Sequence, residues 1–225
     1  MKVLAAVGLK REAEIAAGLG LEPVVGGGDT QALAEKLRAR CVGAHGIVSF
    51  GLAAGLSPAL HTGTMMIATS VVDADAPSRR FICHEGWQGH LLAAWPGARV
   101  GVMAGTSRVI ASAEEKRAIA AQCGADCLDM ESFATANVAS HAGLPFAILR
   151  VIADEAGDDL PPAASVAMRA DGGVALGAVL KSLVRHPAQL PSLIRLGRQS
   201  EKAFRELLRS HNLFGGRLFV PADLG

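Results

Sequence analysis

Apolar residues in this chain come in short unbroken runs rather than in alternation with polar ones. "KVLAAVG" (2–8), "GIVSFG" (46–51), "TMMIATSVV" (64–72), "RVGVMAG" (99–105) and "PFAILRVIAD" (145–154) are each punctuated by glycine or a polar turn. Between several of them lie stretches of helical character, "TQALAEKLRARC" (30–41) and "SAEEKRAIAAQCG" (112–124). A strand covered on both faces has no solvent side to keep polar. Continuous apolar runs separated by helices therefore predict a mostly parallel sheet buried on both faces.

The stretch 127–159 holds the most chemistry. Residues 130–141 are expected to form a helix, with Met130, Phe133, Ala134 and Val138 on one buried stripe at spacings of three and four. Asp129 suits the N-cap, Gly143 the C-cap, and Pro145 stops the helix before the next strand. Glu131 then falls in the first turn, just off the stripe, where the helix dipole favours its ionised form. Asp154 follows "FAILRVIA" and lies just past a buried strand, the place where open α/β sheets bind ligands. Glu12 holds a similar station after "KVLAAVGLKR". Three carboxylates at three element termini suit one shared cleft, although a helix cap or a solvent-facing side chain explains each of them separately.

Two further segments bear on the site. "SFGLAAGLSP" (49–58) reads as a strand end running into a small-residue turn, where backbone amides can approach a ligand closely. It lacks the pattern of a P-loop or a dinucleotide fingerprint. "DAPSRRFICHEGWQGH" (75–90) has little periodicity and reads as a loop or a short excursion near the pocket mouth, its Trp87 and Phe81 either lining an apolar site or simply packing. His84 and His90, six apart with glycine between, make a poor metal pair.

Composition narrows the classes. With 225 residues, 50% apolar and 19% charged, the chain suits one α/β domain or a domain with a short appendage. A net charge of +1 with scattered Lys and Arg excludes a nucleic-acid footprint. The cysteines at 41, 83, 123 and 127 lack a second Cys/His pair at zinc spacing and read as buried thiols of a reducing compartment, with no metal expected. Cys123 and Cys127, four apart, would share one face if their segment were helical. "MKVLAAVGLKREAE" reads as a first core strand, too short for a signal peptide or a membrane span, so a cytoplasmic location is expected. Residues 1–173 are taken as the catalytic domain and 174–225 as a C-terminal helical tail. In that tail, from Val174 to Leu208, Leu, Ile and Val alternate with Lys181, Arg185, Arg195, Arg198, Lys202 and Arg205, and prolines divide it into short helices. Such a segment suits an anionic lipid surface, a second subunit or the domain itself.

"LDMES" followed by "LPFAILRVIAD", with "VGLKREAE" and "FGLAAGLSP", resembles the purine nucleoside phosphorylase and methylthioadenosine/S-adenosylhomocysteine nucleosidase superfamily over roughly residues 1–160. "GTSRVIASAEEKRAI" and the tail "LGAVLKSLVRHPAQLPSLIRLGRQSEKAFRELL" are similar to its hopanoid-associated branch, thought to remove adenine from adenosylhopane. The resemblance implies a single-domain three-layer α/β/α fold with a central mixed, mostly parallel sheet. It also implies an enzyme that cleaves the N-glycosidic bond of a 5′-modified adenosine, a homo-oligomer, and no cofactor, with phosphate as an alternative co-substrate.

The resemblance assigns roles residue by residue. Asp154 matches the acid that protonates the purine at N7, which requires a raised pKa. Glu131 matches the acceptor of the ribose 2′- and 3′-hydroxyls, Met130 packs on the sugar, and Glu12 matches the activator of water. Arg150 would orient the acid or bind an anion; phosphorolysis would need a cationic pocket, which Arg11, Arg108 and Arg150 with the Thr106 and Ser107 hydroxyls could supply, unless Arg11 and Arg108 are surface charges. Gly51, Leu52 and Ala53 belong to the substrate loop. Retention of Glu12 favours hydrolysis slightly over phosphorolysis. The run Leu52-Ala53-Ala54-Gly55 stands where the nucleosidases have Ser-Ala-Gly-Gly, Ala153 where they have serine, and Asp129 where they have glutamate. These differences point away from the ordinary methylthio and homocysteine substrates. A methylthioadenosine/S-adenosylhomocysteine nucleosidase and a non-catalytic nucleoside-binding module are the rival readings.

Overall fold

The computed structural model describes residues 2–165, 171–173 and 175–214. The elements in chain order are β1 (Val3–Val7), α1 (Lys10–Gly18), β2 (Glu22–Val25), α2 (Thr30–Arg40), β3 (Gly46–Gly55), β4 (Met65–Asp73), β5 (Arg80–Ile82) and α3 (Glu85–Ala94). There follow β6 (Arg99–Gly105), α4 (Ala113–Cys123), β7 (Cys127–Asp129), α5 (Ser132–His141), β8 (Phe146–Asp154), α6 (Pro162–Ser165), α7 (Leu176–Arg185), a 3₁₀ turn (Pro187–Gln189) and α8 (Leu190–Phe214).

The strands form one sheet in the order β2-β1-β3-β7-β6-β4-β5, with β8 bonded to both β3 and β4. Pairs β1–β2, β1–β3, β3–β8, β4–β6 and β6–β7 are parallel, and β3–β7, β4–β5 and β4–β8 antiparallel. The sheet is thus mixed and mostly parallel, and β3, β8, β4, β6 and β7 close into a ring. β1 and β8 are buried at every position; β1 is wholly apolar, whereas β8 carries Arg150 and Asp154 into the interior. Along β1 the side chains alternate between two cores. Val3, Ala5 and Val7 join Ile15 of α1, Trp87 and Leu91 of α3 and Phe204 of α8, while Leu4 and Ala6 join Leu33 and Leu37 of α2 and Val138 of α5. Helices cover both faces, so the fold is the three-layer α/β/α arrangement.

Several local expectations are corrected. Residues 75–90 are not a loop: they contain β5 and the start of α3. The glycines at 86 and 89 mask a helix that is held instead by burial of Trp87 and Leu91 and by His84, whose Nδ1 accepts from the Trp87 amide at 3.2 Å. Trp87 is fully buried in the core rather than lining a site. The "FGLAAG" run is not a turn. β3 continues through it to Gly55, slipping register against β8 between Ala53 and Ala54. α5 starts at Ser132, and its buried face is Ser132, Thr135, Ala136, Val138 and Ala139 rather than the stripe through Met130 and Phe133. Two of those residues carry hydroxyls that find partners locally, Ser132 on Asp129 and Thr135 on the Glu131 carbonyl, so polar residues occupy the core face. Cys123 ends α4 and Cys127 lies in β7, so they share no helix face.

The tail is not a series of short helices. After α7, helix α8 runs for 25 residues, with Pro191 tolerated in its first turn. Its Ala203, Phe204 and Leu207 are buried against the sheet. The end of the tail, 215–225, lies outside the described residues. Among the described residues no helix is long and apolar enough to cross a membrane.

Candidate active site

Three chain segments meet at the C-terminal end of β3. On one side, Ala54 pairs with Leu128 of β7, and on the other with Asp154 at the end of β8. One residue pair earlier, the Leu52 amide donates to Glu12 Oε1 at 2.8 Å, reaching across from the β1–α1 turn. Glu12, Glu131 and Asp154 consequently line one cavity of about 190 Å³, together with Met130, Arg108 and an apolar wall that includes Leu9, Leu52, Ile110 and Leu160.

Each carboxylate is held by identifiable partners. Glu12 sits in the third position of α1 and caps it, its Oε2 accepting from the amides of Gly8 and Leu9, both at 2.8 Å. With the Leu52 amide it receives three backbone donors, which leaves one lone-pair site on Oε1 by simple count. Glu131 follows β7 at the mouth of α5, and its side chain caps nothing. It turns inward, where Oε2 lies 3.2 Å from a terminal nitrogen of Arg150. Capping of α5 falls to Asp129, whose Oδ1 accepts from the Ser132 amide at 2.9 Å. Gly8 separates the two glutamates: a methyl group there would stand 2.6 Å from Glu131 Oε1 and 3.6 Å from Glu12 Oε2.

Arg150 lies beneath the cavity, fully buried, and serves as the common cation. Its Nε is 2.7 Å from Asp129 Oδ2, and it donates to the Leu52 carbonyl at 3.2 Å and to Ser49 Oγ. It makes no pair with Asp154; its ion pairs are to Asp129 and Glu131. One guanidinium among Asp129, Glu131 and Glu12 leaves negative charge in excess in a buried site. Burial, with the neighbouring Asp129 and Glu12 charges, pushes Glu131 up to about 8 despite Arg150, and burial likewise raises Glu12.

Asp154 has a different partner. Lys116 of α4, fully buried, donates to Asp154 Oδ2 and also to the carbonyls of Glu155 and Asp158 at 2.9 and 3.0 Å. Its three donors are thereby all engaged. Burial raises the Asp154 pKa, and the Lys116 ammonium pulls it back without reversing the direction. Oδ2 is occupied by Lys116, so Oδ1 is the oxygen left for a ligand.

The remaining candidates divide. Leu52, Ala53 and Met130 line the cavity. Gly51 lies just behind it, with φ +147 and no room for a side chain beside Glu12 and Arg150. Arg108 lines it but is paired with Glu115. Thr106 and Ser107 border neighbouring depressions, and the Thr106 hydroxyl donates to the Arg108 carbonyl at 2.9 Å. Arg11 is not at the cavity: it pairs with Glu201 of α8 and lies 4.3 Å over the Phe204 ring. Lys116 escaped the sequence reading. Its signal was there, since Lys116, Ile119 and Cys123 recur at spacings of three and four on the buried face of α4, and a lysine on such a face needs a partner. Among the described residues no cluster of His, Cys, Asp or Glu could hold a metal ion.

The model of the phosphorylase superfamily matches residues 19–185. The chain belongs to the phosphorylase superfamily. Solved structures agree on the fold of this phosphorylase-superfamily chain. It is similar to the futalosine hydrolase of Helicobacter pylori (17% identity, 82% of this chain and 97% of that one, TM-score 0.62). It is similar also to the 5′-methylthioadenosine/S-adenosylhomocysteine nucleosidases of Campylobacter jejuni (15%, 93% and 99%, TM-score 0.62) and Neisseria meningitidis, the latter in complex with methylthio-immucillin-A (19%, 93% and 100%, TM-score 0.62). No curated protein matches the chain. The superfamily is one of enzymes, and the buried carboxylates Glu12, Glu131 and Asp154 line the cavity of this member.

Proposed function

We propose that this chain is a nucleosidase that cleaves the N-glycosidic bond of a 5′-modified adenosine and releases adenine, with adenosylhopane as the substrate. The observation that carries the reading is the meeting of Glu12, Glu131 and Asp154 in one cavity. Their environments suit three different tasks. Asp154, its pKa raised by burial, donates a proton from Oδ1 to purine N7 as the C1′–N9 bond breaks, and Lys116 stabilises the carboxylate left behind. Glu131 accepts hydrogen bonds from the ribose hydroxyls through its carboxyl oxygens. Glu12 takes the proton of a water held at its free lone pair, and that water's oxygen bonds to C1′. One proton leaves Asp154 and one arrives at Glu12, so exchange with solvent restores the site.

Water is favoured over phosphate on electrostatic grounds. Arg11 is elsewhere, Arg108 is paired with Glu115, and Arg150 is committed to two carboxylates. A phosphate dianion would stand against Glu12 and Glu131 with little cationic compensation. The cavity is small beside the usual 300–1,000 Å³ of ligand pockets. A polycyclic hydrocarbon on C5′ would therefore have to extend out of it. The apolar Leu52-Ala53-Ala54 run and Ala153 support a 5′ group without polar needs.

The test is adenine release from adenosylhopane in detergent and from methylthioadenosine, each with and without phosphate. Release from adenosylhopane at the higher kcat/KM, unaffected by phosphate, is expected. Turnover of the small thioether alone would return the chain to the methylthioadenosine/S-adenosylhomocysteine class. A strict phosphate requirement would replace water as the nucleophile, and no release from either would leave a binding module.

A further inference from the structure

Residues 174–200 contain Lys181, Arg185, Arg195 and Arg198 and no Asp or Glu, in a chain whose net charge is only +1. The same segment leaves large apolar side chains in solvent. Leu180 and Val184, one turn apart on α7, are 62% and 83% exposed, and Leu190 and Ile194, one turn apart on α8, are each 48% exposed. On α7 the basic pair Lys181 and Arg185 follows the apolar pair by one residue, about 100° around the helix. On α8, Arg195 follows Ile194 by one residue in the same way, and Arg198 stands one turn beyond Ile194. Of these four cations Arg195 reaches a carboxylate among the described residues, Asp158 at 3.5 Å.

The segment is built in rather than dangling. Gln189, buried in the 3₁₀ turn, accepts from the Ala163 amide of α6 at 2.9 Å and donates to Ser182 Oγ of α7 at 3.0 Å. Beyond Gln199, which donates to Asp158 at 2.8 Å, α8 turns its apolar residues into the core. Both chain segments that lead into α7 border the cavity. Leu160, just before α6, lines it, and Gly172 accepts at 3.1 Å from the Lys10 amide, beside the Gly8–Leu9 wall.

We infer that α7 and the first turns of α8 dock this protein on an anionic bilayer surface, apolar side chains among the acyl chains and basic ones at the headgroups. A second copy is the disfavoured occupant. A two-fold contact through this face would set Lys181, Arg185 and Arg198 against their copies, with no acid in the segment to relieve them. The inference stands apart from the nucleosidase reading, although a surface beside the cavity mouth would let a lipid-borne nucleoside enter from the bilayer.

The experiment is co-sedimentation of the full chain, without substrate, with vesicles of phosphatidylcholine alone and of phosphatidylcholine mixed with phosphatidylglycerol. Binding to the mixed vesicles is expected, weakened by salt. Lys181→Glu with Arg185→Glu should weaken it by about tenfold or more. Leu180→Ser with Val184→Ser should weaken it comparably, and thermal melting would show each variant folded. Equal binding to both vesicle types, or binding unmoved by either variant pair, would overturn the proposal. So would no vesicle binding accompanied by a self-association that the Leu180/Val184 variant abolishes. Because no substrate is present, failure here leaves the glycosidic-bond reading untouched, and failure of adenine release leaves this one.

Discussion

Lys116 and Asp154 form a buried pair in which the cation works against the proton that the acid needs. Burial disfavours the Asp154 carboxylate, and the ammonium favours it. Replacing Lys116 with Met keeps most of the volume and removes the opposing charge, so the Asp154 pKa should move further up. An acid that must be protonated loses activity as pH rises through its pKa. The alkaline limb of kcat/KM for adenine release should therefore shift to higher pH in Lys116→Met; an unmoved limb would dissociate Lys116 from the acid. The variant should also lose stability, roughly 1–3 kcal/mol for each carbonyl of Glu155 and Asp158 left unpaired. Glu131 gives a second pH signature. Its pKa is raised from an ordinary 4.5 to about 8, so folding favours the protonated form. The stability this contributes is fully present below 4.5 and is lost as pH rises towards 8. Glu131→Gln carries a permanently neutral amide, so its melting temperature should gain on that of the parent across this window. Parallel melting curves would contradict the assignment.

At the scale of elements, glycines set the spacing between the carboxylates. The Gly8 backbone passes so close to Glu131 that an added methyl would meet Oε1 at 2.6 Å. Gly8→Ala should displace Glu131 from the cavity wall and raise KM about tenfold or more with the fold intact, in line with the loss of a positioned hydrogen-bonding partner; an unchanged KM would show that Glu131 does not hold the sugar. The buried strands were legible in the sequence because burial on both faces leaves apolar runs, as in "VLAAV" and in "FAILRVIAD", where Arg150 alone interrupts the run before Asp154. Strands β2, β5 and β7 have three or four residues, too few for any period to show. α3 was obscured by its glycines, and the inner face of α5 by serine and threonine whose hydroxyls find local partners. α4 was clear, with Ser112 accepting from the Glu115 amide at 3.1 Å and Gly124 in the left-handed conformation at φ +62.

For the molecule as a whole, the decisive feature is long-range. Nothing local indicates that positions 12, 131 and 154 share a cavity, because it is the ring closure of β3 with β7 and β8 that gathers them. Termini of buried strands were a sound guide to where carboxylates concentrate, and the resemblance picked out which ones. The counter-charges were harder to place. Arg11 follows β1 closely yet turns to α8, whereas Lys116 comes from a helix that looked purely structural. The central claim is that the three carboxylates surround one purine riboside. A crystal structure of the chain with methylthio-immucillin-A, the analogue seen in the Neisseria meningitidis nucleosidase, tests it most directly. The base's N7 edge should lie within hydrogen-bonding distance of Asp154 Oδ1, the 2′- and 3′-hydroxyls on Glu131, and a water or the ring's reactive face beside Glu12. An analogue bound elsewhere, or bound in the cavity with its base turned away from Asp154, would contradict it.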